Sequence, residues 1–365
     1  AIEAPPAQPI IVAPPRMVAD PHAVGQLAKR IAEEPNGIVI AGASSLANRD
    51  VLALCARAGY PLLAEAGSQL RFCARPGVTA IDHFDFVLAS KLAPAPRLVI
   101  QLGAESVAAA KLGQVDERWV IADSWRDPDG GAHVLLGACD LASLVPDRGD
   151  SNFTRAWREV EAKAAAAVEQ VLAAMPTSEA CIVRAAIGAM PAGAQLQIGN
   201  SLPIRVVDQV ATGGERVVLT QRGAAGIDGL IASATGAAEL APTLLVLGDV
   251  SFAHDLGSLV TARTAKHPLA ILVIDNAGGR IFGGLPIAKS ATQDLMTRFF
   301  VTAPELDPVA IARAIGVRAV LSTDVAAEIA TALTTPGSTV IHARVASHGA
   351  RDFRASVLHH LEGAR

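Results

Sequence analysis

The sequence lacks several features that would assign it to a broad functional class. Its four cysteines form no CxxC pair, which is typical of reduced thiols and gives no pattern for zinc or disulfides. Its net charge of −4 comes from interspersed acids and bases, so no nucleic-acid or anionic-membrane surface is indicated. No apolar run approaches the length of a bilayer span, and the first residues carry no basic signal-peptide region. Together these absences favour a cytoplasmic protein.

A Pro-rich segment occupies residues 1–18 of a chain that, at 365 residues, is long enough for two domains. Because proline is stiff and is excluded from helix interiors, we interpret this segment as an interdomain linker. A linker at the start of the chain, together with the absence of an initiator methionine, predicts a fragment or processed chain that another domain once preceded.

From residue 19 onward, short apolar runs alternate with segments of helical spacing. This alternation predicts parallel sheets that helices cover on both faces. A long Ala-rich helix, at about 151–175, separates two such blocks, so we predict an α/β fold of two doubly wound parallel-sheet domains, 19–175 and 176–365. The predicted strands are GIVIAG, YPLLAE, RLVIQLG and RWVIAD in the first block, and QLQIGN, RVVLTQ, TLLVLG, LAILVID and TVIHARV in the second.

Two segments suggest other chemistry and are interpreted as structural. The segment AGASSLAN follows a predicted strand, but the GxGxxG fingerprint is absent, which disfavours a dinucleotide-binding oxidoreductase. His254 and Asp255 are neighbours in sequence, and neighbours on a helix point about 100° apart. We therefore expect helix capping or packing there rather than a catalytic dyad.

Oxygen-bearing side chains end two of the predicted strands, one strand–helix–strand unit apart. Asp249 follows TLLVLG and Asn276 follows LAILVID, so both belong to the edge of the sheet where ligands bind. Gly278 has no Cβ and lets the backbone bend, so that a carbonyl can join these side chains. Three hard oxygens suit Mg²⁺, which completes its coordination with phosphate oxygens and water. The start of the following helix favours an anion, so the pattern predicts a magnesium diphosphate site.

Gly248-Asp249 with Asn276 resembles the diphosphate–magnesium motif of thiamine diphosphate enzymes. Three flanking stretches, GNSLPIR (199–205), RGAAGIDG (222–229) and GGRIFGGLP (278–286), are similar to segments of the 2-succinyl-5-enolpyruvyl-6-hydroxy-3-cyclohexene-1-carboxylate synthase family. YPLLAEAGSQLR and IDHFDFVLAS look like the middle domain of that family. The resemblance implies a transferase of menaquinone biosynthesis, with a Rossmann-like middle domain and a diphosphate-binding domain.

The resemblance also implies roles for individual residues. Magnesium would be held by the side chains of Asp249 and Asn276 and by the carbonyl of Gly278. Further residues would bind thiamine diphosphate, with the first as the apolar wedge that bends it: Ile227, Gly248, Val250, Ser251, Gly279 and Ile281. The remaining residues would face the substrates: Asn200, Ser201, Arg205, Arg222, Phe282 and Leu285. The two arginines suit isochorismate and 2-oxoglutarate, because both substrates are dicarboxylates and a guanidinium can bind a carboxylate through two hydrogen bonds.

The implied reaction decarboxylates 2-oxoglutarate and adds the resulting carbanion to isochorismate, with the cofactor as electron sink. In this family the catalytic glutamate comes from a pyrimidine-binding domain that normally precedes the linker. Nothing corresponding to that domain is found in the chain, so we predict a fragment without synthase activity of its own. Because cofactor sites in this superfamily form between subunits, the complete enzyme is expected to be a dimer or tetramer.

The sequence departs from the family pattern at two further places. Family members tend to carry basic residues where an ungapped count places Ala109 and Ala110, with Lys111 following. Asp275 stands where an asparagine is common and adds a negative charge beside the proposed metal ligand. Two alternatives stay open: a subunit of another thiamine diphosphate lyase or decarboxylase, and a non-catalytic scaffold that retained the diphosphate site.

Overall fold

The computed structural model describes residues 17–44, 48–103, 112, 115–125, 130–221 and 225–363. Arg222 lies outside these ranges, as do Ala109, Ala110 and Lys111 and most of the proposed linker. The predictions made for those residues stay predictions.

The first half of the chain forms a parallel sheet that helices flank. Within the described ranges this sheet has five strands in the order β2-β1-β3-β4-β5. The strands are β1 Gly37–Ala41, β2 Leu62–Ala64, β3 Leu98–Leu102, β4 Glu117–Ala122 and β5 His133–Leu136. The helices are α1 Pro21–Glu33, α2 Asn48–Ala58, α3 Phe84–Ser90 and α4 Asn152–Ala174. The helix α4 corresponds to the predicted Ala-rich helix, and its first turn is capped by the Ser151 hydroxyl, which accepts from Thr154 N.

The second half forms a larger parallel sheet, which has six strands in the described part of the chain, in the order β10-β11-β9-β8-β6-β7. The strands are β6 Gln195–Ile198, β7 Val218–Thr220, β8 Thr243–Gly248, β9 Leu269–Asp275, β10 Arg318–Leu321 and β11 Ser338–Arg344. The helices are α5 Glu179–Gly188, α6 Leu202–Val210, α7 Leu230–Ala237, α8 Asp249–His254, α9 Leu259–Ala262, α10 Gln293–Met296, α11 Pro308–Ile315, α12 Val325–Ala332 and α13 Gly349–Gly363.

The predicted fold class is confirmed, since both sheets are parallel and carry helices. Each of the nine predicted strands is present, and the sequence prediction missed β5 and β10. The strands β8 and β9 are direct neighbours, with Gly248 opposite Ile274, so the polar residues that follow them meet at one edge. On the other side of β8 lies β6, from which the chain proceeds outward to β7. This change of direction creates the crevice in which open parallel sheets bind ligands.

One apolar cluster spans both sheets. It contains Ile38 and Leu63 of the first sheet and Leu196 and Val246 of the second, all of them buried. The last helix, α13, packs against α4 and α3, so the end of the chain returns to the first half. Among the described residues, no single helix meets the length and hydropathy of a membrane span, although α4 and α5 do so as a pair bent by 104°.

A buried cation crosses between the two halves. The side chain of Arg71 is fully buried, and its guanidinium donates to the carbonyls of Ala64, Asp208 and Ala211, at 3.2, 3.1 and 2.7 Å. Asp208 in turn accepts from the backbone N–H of Ala66 at 2.6 Å. Because buried donors need partners, these contacts fix the loop after β2 against the helix α6.

Asp255 has a capping role, as expected. Its Oδ2 accepts from the backbone N–H of Ile231 in the first turn of α7, at 2.6 Å, and its Oδ1 accepts from the Ser258 hydroxyl. Its neighbour His254 is exposed. The Asp255 carboxylate therefore accepts a hydrogen bond from the N-terminal turn of α7.

The pair formed by Asp82 and Arg75 is expected to stabilise the fold. Burial raises the pKa of the Asp82 carboxyl, but the charge of Arg71 and the hydrogen bonds and charge of Arg75 lower it more, so the pKa lies below its ordinary value. The two hydrogen bonds measure 2.7 and 2.8 Å. We predict that Asp82→Asn lowers the free energy of unfolding by about 3 kcal/mol near neutral pH, measured by urea denaturation.

The pH dependence and a surface variant provide the controls for this prediction. A lowered pKa gives stability that is present above pH 3.8, the ordinary value, and is lost as the pH falls through the lowered pKa. The difference between the variant and the wild type should therefore shrink in acid. Asp116→Asn breaks an exposed pair with Arg97 and should cost less than about 1 kcal/mol. Equal costs for the two variants would contradict the assignment.

Candidate functional site

The ends of β6, β8 and β9 bring three polar side chains to one edge of the second sheet. These are Asn200, Asp249 and Asn276, with exposed fractions of 3%, 6% and 6%. Because polar groups are costly to bury without partners, such a set requires either internal hydrogen bonds or a ligand. All three side chains make internal hydrogen bonds, and the amide oxygens of Asn200 and Asn276 have no partner among the described residues.

Asp249 links the ends of β8 and β9 through hydrogen bonds. Its Oδ2 accepts from the backbone N–H of Gly278 at 2.7 Å, and its Oδ1 accepts from the backbone N–H of Val250 at 2.9 Å. Burial raises the pKa of this carboxyl, the two backbone hydrogen bonds lower it, and the charge of Asp275 raises it; the net shift is upward. Each oxygen keeps a further lone pair, so a cation can still bind the carboxylate.

The turn after β9 has an unusual backbone. Ala277 has a φ of +61° and Gly278 a φ of +111°, in the region that residues with a side chain rarely adopt. A Cβ on Gly278 would stand 2.3 Å from the carbonyl oxygen of Val301, so the chain requires glycine there. The carbonyl of Gly278 accepts from Arg280 N at 2.7 Å, which uses one of its two lone pairs. The other lone pair remains for a ligand.

The side-chain amide of Asn276 uses its nitrogen in a hydrogen bond, whereas its oxygen has no partner among the described residues. Its Nδ2 donates to Oε2 of Glu179 at 3.3 Å. Its Oδ1 is buried and has no hydrogen-bond partner in the described part of the chain. A buried amide oxygen without a donor beside it suits a hard cation, so the residues present fit magnesium. Across the described ranges, no group of three or more His, Cys, Asp or Glu residues could hold a metal ion, so a cation here would depend on amide and carbonyl oxygens as well.

Glu179 is a site residue that the sequence analysis missed. It begins α5 and is 1% exposed. Burial raises the pKa of its carboxyl, the hydrogen bond from Asn276 lowers it and the charge of Asp249 raises it, which brings it to about 7. In the sequence, an acid in the first turn of a helix has the ordinary signature of a favourable helix end, and this conceals its burial.

Asp275, the departure from the family pattern, has its own partner. Its Oδ2 accepts from Nε2 of His342 at 2.9 Å, and its Oδ1 accepts from Ala277 N at 3.0 Å. The hydrogen bond from His342 is the main reason why the pKa of Asp275 lies below its ordinary value. His342 belongs to β11, which is paired with β9, so the additional charge is held by a neighbouring strand.

On the β6 side, three of the predicted substrate residues lie at the end of β6 and the start of α6. Asn200 donates through Nδ2 to the carbonyl of Gly226 at 2.6 Å, and its buried Oδ1 has no partner among the residues described. Ser201 has a φ of +74°, and its carbonyl accepts from Nη1 of Arg205 at 2.6 Å. Strained backbone at a polar strand end is typical of ligand sites.

The remaining predicted residues differ in exposure. Ile227, Gly248, Val250, Gly279 and Ile281 are partly buried, and Ser251 is buried. The N–H of Val250, expected to face a diphosphate, donates to Asp249 in this structure. Phe282 and Leu285 are exposed, at 38% and 44%, and the ring of Phe282 packs edge-on against that of Phe300 at 5.7 Å. The structure therefore places an apolar surface beside the polar strand ends.

Comparison with known sequences relates the segment that carries these strand ends to a protein family. The model of the C-terminal TPP-binding domain of thiamine pyrophosphate (thiamine diphosphate) enzymes matches residues 206–343, which contain β7 to β9 and the turn after β9. A 2-succinyl-5-enolpyruvyl-6-hydroxy-3-cyclohexene-1-carboxylate synthase of Sorangium cellulosum is 34% identical over 90% of the chain. The chain is a homologue of these synthases. A Myxococcus xanthus synthase is 32% identical over 81% of the chain.

The chain spans only part of the length of the relatives it matches. It covers 60% of the Sorangium synthase and 54% of the Myxococcus synthase. Among solved structures, benzoylformate decarboxylase from Polynucleobacter necessarius matches with a TM-score of 0.68 at 16% identity, over 94% of this chain and 68% of that one. That likeness is one of fold.

The turn after β9 gives a testable prediction. Gly278→Ala places a Cβ against the carbonyl of Val301 at a positive φ, so we expect a loss of about 2–4 kcal/mol in the free energy of unfolding, measured by urea denaturation. Gly283→Ala is the matched control, since a Cβ there meets nothing within 4 Å, and should change stability by less than about 0.5 kcal/mol. A tolerated Gly278→Ala would show that the turn is not under this constraint.

Proposed function

We propose that the chain is the diphosphate-binding part of a thiamine-diphosphate- and magnesium-dependent transferase that decarboxylates 2-oxoglutarate and adds the product to isochorismate. One observation carries the proposal: the buried Oδ1 of Asn276 has no partner in the described residues and lies at the strand end that Asp249 joins. The homology to the synthases supports the choice of cofactor and of reaction.

The proposed metal ligands are Asp249, Asn276 and the carbonyl of Gly278. Each retains an acceptor: the carboxylate has lone pairs beyond its two backbone hydrogen bonds, the amide oxygen accepts from no described residue, and the carbonyl has a second lone pair. Such a set of oxygens binds magnesium together with phosphate oxygens and water. Ser251 and the glycines at 248 and 279 would border the diphosphate.

The remaining site residues would bind and orient the substrates. Arg205 is partly buried and fixed to the carbonyl of Ser201, which directs a guanidinium to the edge where carboxylates would bind. Arg222 is proposed to have the same role. Asn200 offers to a donor its buried Oδ1, which has no partner among the described residues. Ile227, Ile281, Phe282 and Leu285 would exclude water from the reacting atoms. When bound, thiamine diphosphate supplies the electron sink for decarboxylation.

These residues form part of an active site, and the aminopyrimidine of the cofactor requires further partners. We propose that a pyrimidine-binding domain supplies them, in an assembly of two or more subunits. The exposed apolar side chains Phe282 and Leu285, beside the polar edge, are consistent with a surface that such a domain covers.

Loss of the carboxylate should abolish metal-dependent binding. We predict that Asp249→Ala weakens the binding of magnesium and thiamine diphosphate at least about 100-fold, because the variant removes the charged ligand and the tie to Gly278. Isothermal titration of the cofactor, with and without Mg²⁺, measures this. Asp116→Asn, a charge change at an exposed ion pair in the first half of the chain, is the control and should leave binding unchanged. Unaltered binding by Asp249→Ala would show that the site is wrongly assigned.

Turnover should depend on a second component. We predict that the 365-residue chain shows no synthase activity with isochorismate and 2-oxoglutarate, and that adding the remaining N-terminal part of the Sorangium synthase restores it, as followed by CO₂ release. Robust turnover by the chain alone would contradict the proposed division of the site. Cofactor binding without restored turnover would favour a scaffold, and turnover with another 2-oxoacid alone would favour a different lyase.

A further inference from the structure

Glu179 is a buried carboxyl that forms no ion pair with any described residue, close to the proposed metal ligands. It lies 97 positions from Asn276 in sequence, and the packing of α5 at the end of β9 brings the two together. The start of α5 is already capped, because the hydroxyl of Ser178 accepts from Cys181 N at 3.2 Å. The helix therefore does not require this carboxyl as its cap, and burying it is costly.

The hydrogen bond from Asn276 indicates a role for the Glu179 carboxyl. A side-chain amide has a donor end and an acceptor end, and its environment decides which end faces which way. The Oε2 of Glu179 accepts from Nδ2 of Asn276, so that Oδ1 is the end without a partner in the part of the chain that the structure describes. With the amide reversed, its oxygen would face a carboxylate, and its nitrogen, which cannot bind a cation, would point to the proposed metal position.

We propose that Glu179 is a positioning residue, which holds the amide of Asn276 so that Oδ1 faces the metal. The inference rests on the proposed function, since it assumes that Asn276 is a metal ligand. Glu179, which lies outside the recognised motifs, would thereby determine that Oδ1 of Asn276 is the atom that binds the metal. Partners of this kind orient metal ligands, and their loss typically lowers metal affinity about 10- to 100-fold.

The first test removes the selectivity of the carboxyl while keeping its shape. Glutamine can donate as well as accept, so Glu179→Gln no longer imposes one orientation on the amide of Asn276. We expect the dissociation constant of Mn²⁺, measured by electron paramagnetic resonance with saturating thiamine diphosphate, to rise about tenfold or more. Glu169→Gln, an equal change at an exposed surface pair with Arg184, should leave it unchanged. A change of less than twofold in Glu179→Gln would overturn the inference.

Two double variants distinguish an effect of Glu179 on the orientation of Asn276 from an effect of its charge, and a thermal measurement excludes loss of folding. If Glu179 acts through Asn276, Glu179→Gln should cost less than about twofold when Asn276→Ala is already present. In Glu179→Gln with Asn276→Asp, the glutamine can donate to the new carboxylate, and metal affinity should return to within about threefold of the wild type. Equal costs in the presence and absence of the Asn276 amide would overturn the inference. The thermal midpoint of each metal-free variant verifies that it is folded.

The two hypotheses fail in different ways. If Asp249→Ala leaves Mn²⁺ binding intact, the proposed metal site itself is wrong. If Asp249→Ala abolishes binding while Glu179→Gln has no effect, the metal site stands and the positioning role is wrong.

Discussion

The hydrogen bond from Gly278 N to Asp249 is the constraint on which the candidate site depends. It joins the ends of two adjacent parallel strands, and it occupies one lone pair of a carboxylate that has others to offer. It also fixes the turn that carries Asn276, at a backbone conformation that glycine alone adopts without strain. Because both strands are fully buried before they reach this edge, they have little room to shift, and a Cβ on Gly278 would meet the carbonyl oxygen of Val301. The oxygens at the edge are therefore preorganised.

The sequence predicted this edge because its determinants are local. Apolar runs define the strands, the connection between them defines a parallel crossover, and the residue after each run defines the strand end. The same reasoning failed at β5 and β10. Both are edge strands whose side chains are largely exposed or half-buried, so their short segments, HVLL and RAVL, do not stand out from loops. A strand that is buried on both faces is recognised in the sequence as a continuous apolar run.

The environment of the polar residues could not be predicted in the same way. The partner of Asp275 is His342, and that contact follows only once β11 is known to lie beside β9. Glu179 is more difficult still, because its local pattern is that of an ordinary helix start and its burial arises from the docking of α5. Motif residues are thus accessible to sequence reasoning, whereas their hydrogen-bond partners depend on contacts between distant segments.

The apolar cluster shared by the two sheets has a consequence for the thermodynamics of the molecule. Ile38 and Val246 belong to one continuous core, and Arg71 adds hydrogen bonds between the halves. Neither sheet can lose its packing without exposing apolar surface of the other, so the two should melt in one cooperative transition. An intermediate that keeps the candidate site intact while the first sheet is unfolded would be poorly populated. The packing of the first sheet then contributes to the temperature at which the strand ends of the second sheet cease to be aligned.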